Sequence, residues 1–424
     1  MLSLQYIREN SEYIIERLKT RNNDYTDTIE KLKKLDEERR SNQQKVNTDQ
    51  SELNTLSKNI GKLFREGKTE EANEAKNRNT ELKQKIKDNQ NRLNEIEEEI
   101  HDLLTQVPNV PHPSVVQGKG EEENQFVRSG GETPQLGPDA LPHWELGKKY
   151  DILDFDLGNK ITGRGFPLYK DKGSRLQRAM INFFLDKARE EGYQEMLPPL
   201  MVNEDSAFAT GQLPDKEGQM YAVPIDNFYL IPTAEVPVTN IYRDTILEER
   251  DLPIKMTAYT PCFRREAGSW GKEVRGLNRV HQFDKVEIVQ IDHPEKSYET
   301  LEKMTAYVES LLQSLEMPYR IMRLCGGDLG FAAALTYDFE VYSSAQDKWL
   351  EVSSVSNFES YQANRMKLRF RREGTKKPQL AHTLNGSALA LPRLLAAFLE
   401  NNQDGEGIQI PGVLKEYTGF DYIG

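Results

Sequence analysis

Cysteine is scarce in this chain. Only Cys262 and Cys325 occur in 424 residues, far apart and outside any metal-ligand spacing. A disulfide framework and a structural zinc site are therefore not expected, which fits a reducing compartment. Long apolar runs are missing too. The opening MLSLQYIREN lacks the apolar stretch of a secretory leader. The stretch from Ala388 to Leu399 is broken by Pro392 and Arg393 and is too short and polar to span a bilayer. A soluble cytoplasmic protein with no membrane partner is expected. Positive charge is not in excess: the net charge is −12. That argues against an unselective polyanion binder but leaves room for a local basic patch. Familiar phosphate-cradling glycine loops are also absent. The stretch Gly268 to Lys272 lacks Walker A spacing, and no G-x-G-x-x-G follows a strand.

What the sequence does contain begins with a heptad pattern. Residues 27 to 106 carry almost no proline and much Lys, Glu, Asn and Leu. Leu32, Val46, Leu53 and Ile60 share one heptad position, and Leu35, Leu56 and Leu63 another. After Gly67 the seam resumes as Leu82, Ile96 and Leu103, with Ile86, Leu93 and Ile100. This predicts an antiparallel α-helical coiled-coil hairpin, with Gly67 left-handed at the end of the first helix and Thr69 capping the second. Arms of roughly 35 residues would be about 50 Å long. A polar seam at Arg39, Asn42, Asp49 and Asn89 weakens the packing. From Lys58 to Arg78 six basic residues (Lys58, Lys62, Arg65, Lys68, Lys76 and Arg78) stand against four acids; from Asn79 to Gln106 seven acids stand against four bases. The tip is thus basic and the root acidic. Taken alone, such a hairpin suits a dimerisation coiled coil or spacer as well as it suits a binding arm, although a mere spacer has no need of that gradient.

Residues 107 to 149 carry six prolines with several glycines and read as a linker with extended pieces. The body, 150 to 424, is predicted to be α+β. Ser174-x-x-Gln177 resembles a capping box opening an amphipathic helix that ends near Gly192. Strand-like runs follow at Phe228 to Ile231, Thr257 to Phe263, Arg279 to Gln290 and Asp338 to Val341. Without alternating βαβ units, an antiparallel sheet flanked by helices is expected.

The richest chemistry lies in CFRREAGSWGKEVRGLNRVHQFDKVE, residues 262 to 287. Read as strand, loop, strand, it puts Arg279, His281, Phe283, Lys285 and Glu287 on one face by alternation, with Arg264 and Glu266 sharing a face of the first strand. Guanidiniums fork onto phosphate, an aromatic ring stacks on a base, and carboxylates accept from amines. The combination suits a nucleoside triphosphate held beside an amino acid. Singly these residues are less telling. Glu287 reads as a salt-bridged acid, His281 as structural, Arg393 as a snorkelling cation, and Lys272 and Arg275 as loop charges.

R-x-E, a loop, then R-x-x-x-F-x-x-x-E resembles motif 2 of the class II aminoacyl-tRNA synthetases. The segment 158 to 202, with Pro198-Pro199, is similar to motif 1, and NGSALALPRLLAAFLENN to motif 3 with Arg393 opening an apolar helix. IPTAEVPVTN resembles the amino-acid loop of the seryl-tRNA synthetases, and the hairpin resembles their tRNA-binding arm. The resemblance spans essentially the whole chain, in order. It implies a class II catalytic domain, a homodimer, and ATP-dependent joining of L-serine to serine tRNA through a seryl-adenylate, with selenocysteine tRNA left open as a second acceptor.

The roles it implies are specific. Arg264 meets the α-phosphate and the reacting carboxylate, Glu266 the adenine amine, and Arg279 the γ-phosphate. Phe283 and Arg393 sandwich the adenine, and Val280 lines it through its backbone. Arg265 adds a third cation where relatives carry a small polar residue. EVSS, residues Glu351, Val352, Ser353 and Ser354, is the ATP and Mg²⁺ segment, with Glu351 and Ser354 as metal ligands. Thr233, Ala234, Glu235, Arg264, Glu287, Asn385 and Ser387 form the serine pocket. Arg264, Glu351 and Arg393 are the catalytic set. The basic tip, with Lys272 and Arg275, meets tRNA. Ala388 and Pro392 depart from the glycines common in motif 3. Two other readings stay open: a class II-like ligase charging a carrier protein, against which the basic-tipped hairpin argues, and a non-catalytic interaction protein, for which eroded ATP residues would be expected.

Overall fold

The heptad pattern does fold as two long helices. The computed structural model describes residues 1–215, 217–266 and 275–424. It divides the chain into two units, one of residues 1–19 and 23–108 and one of residues 20–22 and 109–424. In the first unit, α1 (Leu4–Leu18) precedes α2 (Thr26–Arg65) and α3 (Thr69–Gln106), which pack as a hairpin. With 40 and 38 residues, the arms extend beyond the expected length, to about 60 Å. Gly67 is left-handed at φ +76°, as the turn requires. Thr69 does not cap α3; it is the first helical residue, and Lys68 precedes it without a side-chain cap. Leu32, Leu35, Val46, Leu82, Leu93, Ile96 and Ile100 are buried in the seam, whereas Leu53, Leu56, Ile60 and Leu63 near the tip are only half-buried. Ion pairs cross the seam at Lys31–Glu99 (2.6 Å), Arg92–Glu38 (2.9 Å) and Lys85–Asp49 (2.9 Å). Exposed pairs contribute little each; their value here is to fix register along a seam poor in apolar residues.

The second unit is built on an eight-stranded sheet. Its strands are β1 (Gln125–Gly130), β2 (Gln194–Glu195), β3 (Ile254–Phe263), β4 (Gln282–Asp292), β5 (Tyr319–Arg323), β6 (Leu335–Ser343), β7 (Lys348–Asn357) and β8 (His382–Ala390). They lie in the order β1-β5-β6-β7-β8-β4-β3-β2, antiparallel except for the short β2–β3 pairing. The segment 107–149 contributes β1 and a short helix, α4 (His143–Lys149), to this unit. The amphipathic helix α5 (Asp171–Glu190) starts three residues before Ser174, so Ser174 and Gln177 form no capping box; Gln177 donates instead to Asp284 of β4. Beyond it come α6 (Glu235–Asn240), α7 (Ser297–Ser314) and α8 (Leu391–Asn401). Pro392 sits in the first turn of α8, where its missing N–H costs nothing.

Alternation on β4 decides which face does what. Asp284, Val286 and Ile288 turn away from Phe283, Lys285 and Glu287. Asp284 accepts from the Tyr259 hydroxyl at 2.9 Å as well as from Gln177 of α5. One face of the central strands is thereby tied to α5, leaving the other to form a polar cavity. No helix among the described residues is long and apolar enough to cross a membrane.

Candidate active site

The cavity, of about 490 Å³, lies over the middle of the sheet and is lined from β4, β7, β8, the first turns of α6 and α8, and the chain just after β3 and just before β4. It brings together Arg264, Glu266, Arg279, Val280 and Phe283 with Glu351, Val352, Ser353, Ser354 and Arg393. Thr233, Glu235, Glu287, Asn385 and Ser387 line the same space. Register explains the grouping. Glu287 stands directly opposite Ser387 on β8, and Val289 opposite Asn385.

One end of the cavity holds buried charge. Glu235 and Glu287 are 6% and 1% exposed. Lys285 is 5% exposed and reaches Glu287 at 2.7 Å. The Thr233 hydroxyl donates to Glu287 at 3.1 Å, and Gln362 donates to Glu235 at 2.6 Å. Two buried carboxylates therefore lie within the field of one buried ammonium, which is ion-paired with Glu287. Burial, and then the charge of Glu287, pushes the Glu235 carboxyl up to about 7. Burial also raises Glu287, with Lys285 opposing the shift. A wall of this kind attracts a small cation that also carries hydrogen-bonding groups.

The other end is cationic and aromatic. The Arg264 guanidinium lies 5.2 Å from the centre of the Phe283 ring and donates to the Pro232 carbonyl at 3.3 Å. Arg279 and Glu266 form an ion pair with each other. Arg393 donates to the Asn278 carbonyl at 2.8 Å and lies 3.4 Å from Glu351. Such a surface offers forks for phosphate and an apolar plate for a ring.

Glu351 and Ser354 reach the same cavity although residues three apart oppose each other on a regular strand. The reason is a β-bulge. Ser353 pairs with Phe339 and Glu351 with Glu340, so Val352 is the extra residue. Asp338 lies opposite Ser354 and accepts its hydroxyl at 2.6 Å. Burial, then Glu351, holds the Asp338 carboxyl well above the usual carboxylate range. Glu340 faces Glu351 across the strands and pairs with Arg320. Facing carboxylates repel unless a cation lies between them. This donor set of hard oxygens in surplus negative charge fits a magnesium ion. Among the described residues no group of three His, Cys, Asp or Glu could hold a metal alone, so such an ion would complete its shell with substrate oxygens and water.

Two of the residues expected in the cavity, Arg265 and Ala234, are not part of its wall, nor is Arg275, which was expected to meet tRNA. Arg265 is exposed, just past the end of β3, and does not line the cavity. Ala234 is fully buried in an apolar cluster with Ala258 and Val289. Arg275 is exposed, 3.4 Å from Glu145 and 4.5 Å from the centre of the Trp144 ring. Lys272 lies outside the described residues. Lys58, Lys62, Arg65, Lys68, Lys76 and Arg78 are on the hairpin, where Arg78 pairs with Glu52 at 3.2 Å and Lys62 and Lys68 both approach Glu66. Lys285 and Asp338 were not assigned roles from sequence. Period-2 spacing to Glu287 and to Glu340 was the available signal for both.

The fold and the cavity together define a class II aminoacyl-tRNA synthetase. The model of the tRNA synthetase class II core domain (G, H, P, S and T) matches residues 221–402, and that of the seryl-tRNA synthetase N-terminal domain matches residues 1–111. A serine–tRNA ligase of Salinibacter ruber is 50% identical over 425 residues, covering 100% of this chain and 99% of that protein. The crystal structure of seryl-tRNA synthetase from Pyrococcus horikoshii complexed with ATP superposes with a TM-score of 0.94 at 35% identity, covering 100% and 99% of the two chains. That of a cytoplasmic serine–tRNA ligase from Naegleria fowleri in complex with AMP gives 0.88 at 29% identity, covering 100% and 98%. The chain belongs to the seryl-tRNA synthetase family.

Lys285→Met leaves Glu287 buried without its ion-pair partner. The substitution should cost about 3–5 kcal/mol of stability at pH 8, read from urea unfolding. Glu287 is already raised by burial and loses the partner that opposes it, so it takes up a proton more readily. The loss should therefore shrink as pH falls to 5. A loss that is the same at both pH values would mean that packing, not charge, sets the cost.

Proposed function

We propose that the chain joins L-serine to serine tRNA in two steps at this cavity. In the first, a carboxylate oxygen of serine attacks the α-phosphorus of ATP, forming a carboxyl–phosphate bond and expelling pyrophosphate. In the second, a terminal ribose hydroxyl of the tRNA takes the seryl group and releases AMP. The observation that carries this reading is the union of a buried, cation-seeking wall (Glu235, Glu287 and Thr233) with a guanidinium-and-ring surface (Arg264, Arg279, Phe283 and Arg393) in one cavity. Full-length family membership supports it.

Each group has a physical task. Attack of a carboxylate on a polyphosphate is opposed mainly by charge repulsion and by the need to align two anions. Arg264, Arg279 and Arg393 address both without a side-chain base. Glu351 and Ser354 would hold a magnesium ion, with Asp338 orienting the Ser354 hydroxyl; the ion supplies charge neutralisation on the phosphates. Glu266 and Arg279 hold one another, so binding a nucleotide through both exchanges that ion pair for contacts to adenine and phosphate. Glu235 and Glu287 receive the ammonium of serine, and Thr233 and Ser387 its hydroxyl. Alanine would leave these buried polar groups unsatisfied, which is a stronger rejection than shape alone can provide. The basic hairpin tip suits phosphates of a structured RNA. In this reading selenocysteine tRNA, if it shares that shape, is a second acceptor, and the enzyme acts as a homodimer.

Incubating the purified chain with ATP, Mg²⁺, labelled serine and a serine tRNA transcript should give base-labile seryl-tRNA. No charging of any tRNA would overturn the reading. Because Glu235 must be ionised to receive an ammonium and titrates at about 7, the serine KM should rise as pH falls below 7, by up to about tenfold per unit. Glu235→Gln should raise KM and flatten that profile; an unchanged pH profile would remove Glu235 from serine recognition.

Shortening the hairpin across Lys58 to Arg78 in whole heptads should leave serine-dependent ATP–pyrophosphate exchange within a few-fold of the parent. Charging should fall steeply through tRNA KM, with a shallower salt dependence of tRNA binding. Intact charging, or loss of exchange alongside charging, would make the hairpin a structural element.

A further inference from the structure

The first turn of α4 is bonded to the chain that leads into the nucleotide half of the cavity. His143 is fully buried. Its Nε2 accepts from the Leu277 backbone N–H at 2.8 Å. That fixes the tautomer: Nε2 carries no proton, so Nδ1–H donates to Glu400 at 2.7 Å. Burial keeps this imidazole neutral by lowering its proton affinity. The next two residues grip the same segment, Trp144 beneath the Arg275 guanidinium and Glu145 beside it. Gly276 between them is left-handed at φ +68°, and a Cβ there would lie 2.1 Å from His143 Nε2. Glycine is therefore required both by the backbone and by the closeness of the imidazole.

Glu400 closes the circuit. It is fully buried on the last turn of α8, the helix whose first turn carries Arg393. Besides His143 Nδ1, it accepts from the His143 backbone N–H at 2.9 Å, from Gln346 at 2.9 Å and from the Ser343 hydroxyl. Gln346 in turn accepts from the Asn278 amide at 2.8 Å, and the Asn278 carbonyl receives Arg393 at 2.8 Å. The bonds thus run in a ring from Arg393 through Asn278, Gln346, Glu400 and His143 to Leu277, the neighbour of Asn278. His143, Ser343, Gln346 and Glu400 do not line the cavity; Asn278, Arg279, Val280 and Arg393 do.

We propose that His143 and Glu400 are positioning residues for the nucleotide half of the site, setting the backbone of Arg275–Val280 and the guanidinium of Arg393 without touching substrate. The proposal rests on the reading of that half as the ATP site. It separates from the serine half, whose groups Thr233, Glu235 and Glu287 take no part in the ring. A buried hydrogen-bonded ring of this kind has two consequences: it fixes geometry, and breaking one member leaves the others unsatisfied.

The test uses the full chain, with ATP binding followed by calorimetry and with the ATP and serine KM values from pyrophosphate exchange. His143→Leu and Gly276→Ala should each weaken ATP binding about tenfold or more and raise the ATP KM in step, with serine KM within about threefold of the parent. Glu400→Gln keeps an acceptor for His143 and can place its amide against the Ser343 oxygen, so it should retain near-parental ATP affinity, whereas Glu400→Ala should not. Gly276→Ala carries the test should His143→Leu fail to fold, since Gly276 lies in a turn outside every helix and strand and leaves the His143–Glu400 bond in place. Unchanged ATP affinity in Gly276→Ala and Glu400→Ala, or equal rises in both KM values, would overturn the proposal. A parent chain that binds no ATP would overturn the underlying reading as well; a parent that binds ATP beside unmoved variants overturns this inference alone.

Discussion

Two carboxylates buried beside one ammonium are the constraint on which the rest of the catalytic unit depends. Glu235 and Glu287 would not stay ionised in an apolar core. They are tolerated because Lys285, Thr233 and Gln362 satisfy them, with Lys285 and Glu287 fixed two residues apart on β4 and Glu235 in the first turn of α6. Pairing with β3 and β8 on either side holds β4 in place, and α5 secures its far face through Gln177 and Asp284. A charge deficit of this kind is a stored preference for a cation. In the proposed reaction the ammonium of serine answers it, so recognition and local electrostatics are the same interaction.

The nucleotide half follows a different principle. Its cations sit on chain segments that are irregular or newly emerged from a strand: Arg264 after β3, Arg279 before β4, and Arg393 in the first turn of α8. Such segments lack a regular ladder: backbone carbonyls of Pro232 and His281 hold Arg264, and His143 and Gln346, from outside the cavity, bond Leu277 and Asn278 ahead of Arg279. The carboxylates of β6 and β7 add a third element. Glu340 facing Glu351 across two strands, with Asp338 two residues along, is offset in part by Arg320 and Arg393 and still leaves a surplus of carboxylate oxygen at this end of the cavity. The bulge at Val352 is what turns Glu351 and Ser354 to the same side.

Much of this was legible in the sequence because it obeys period rules. The heptads of residues 27 to 106 gave the hairpin, and Gly67 its turn. Alternation put Phe283, Lys285 and Glu287 on one face, and the resemblance to class II motifs supplied their setting. What was not legible has particular causes. The bulge at Val352 has no glycine or proline to announce it, so alternation set Glu351 against Ser354. Ser174 and Gln177 match a capping box by spacing, but the helix begins earlier and Gln177 is needed by Asp284. Arg265 was drawn into the site by its charge, whereas its strand-end backbone turns it outward. His143 lies in a proline-rich stretch that reads as linker, and its partners Leu277 and Glu400 are more than a hundred residues away, beyond any local pattern.

In the proposed reaction, buried polar groups in this cavity select serine for activation. The most direct measurement is the amino-acid dependence of ATP–pyrophosphate exchange without tRNA. Robust exchange is expected with serine, and exchange with alanine lower by several orders of magnitude, because alanine leaves the hydroxyl partners unpaired. Exchange supported equally by alanine, or exchange that needs no amino acid, would contradict it.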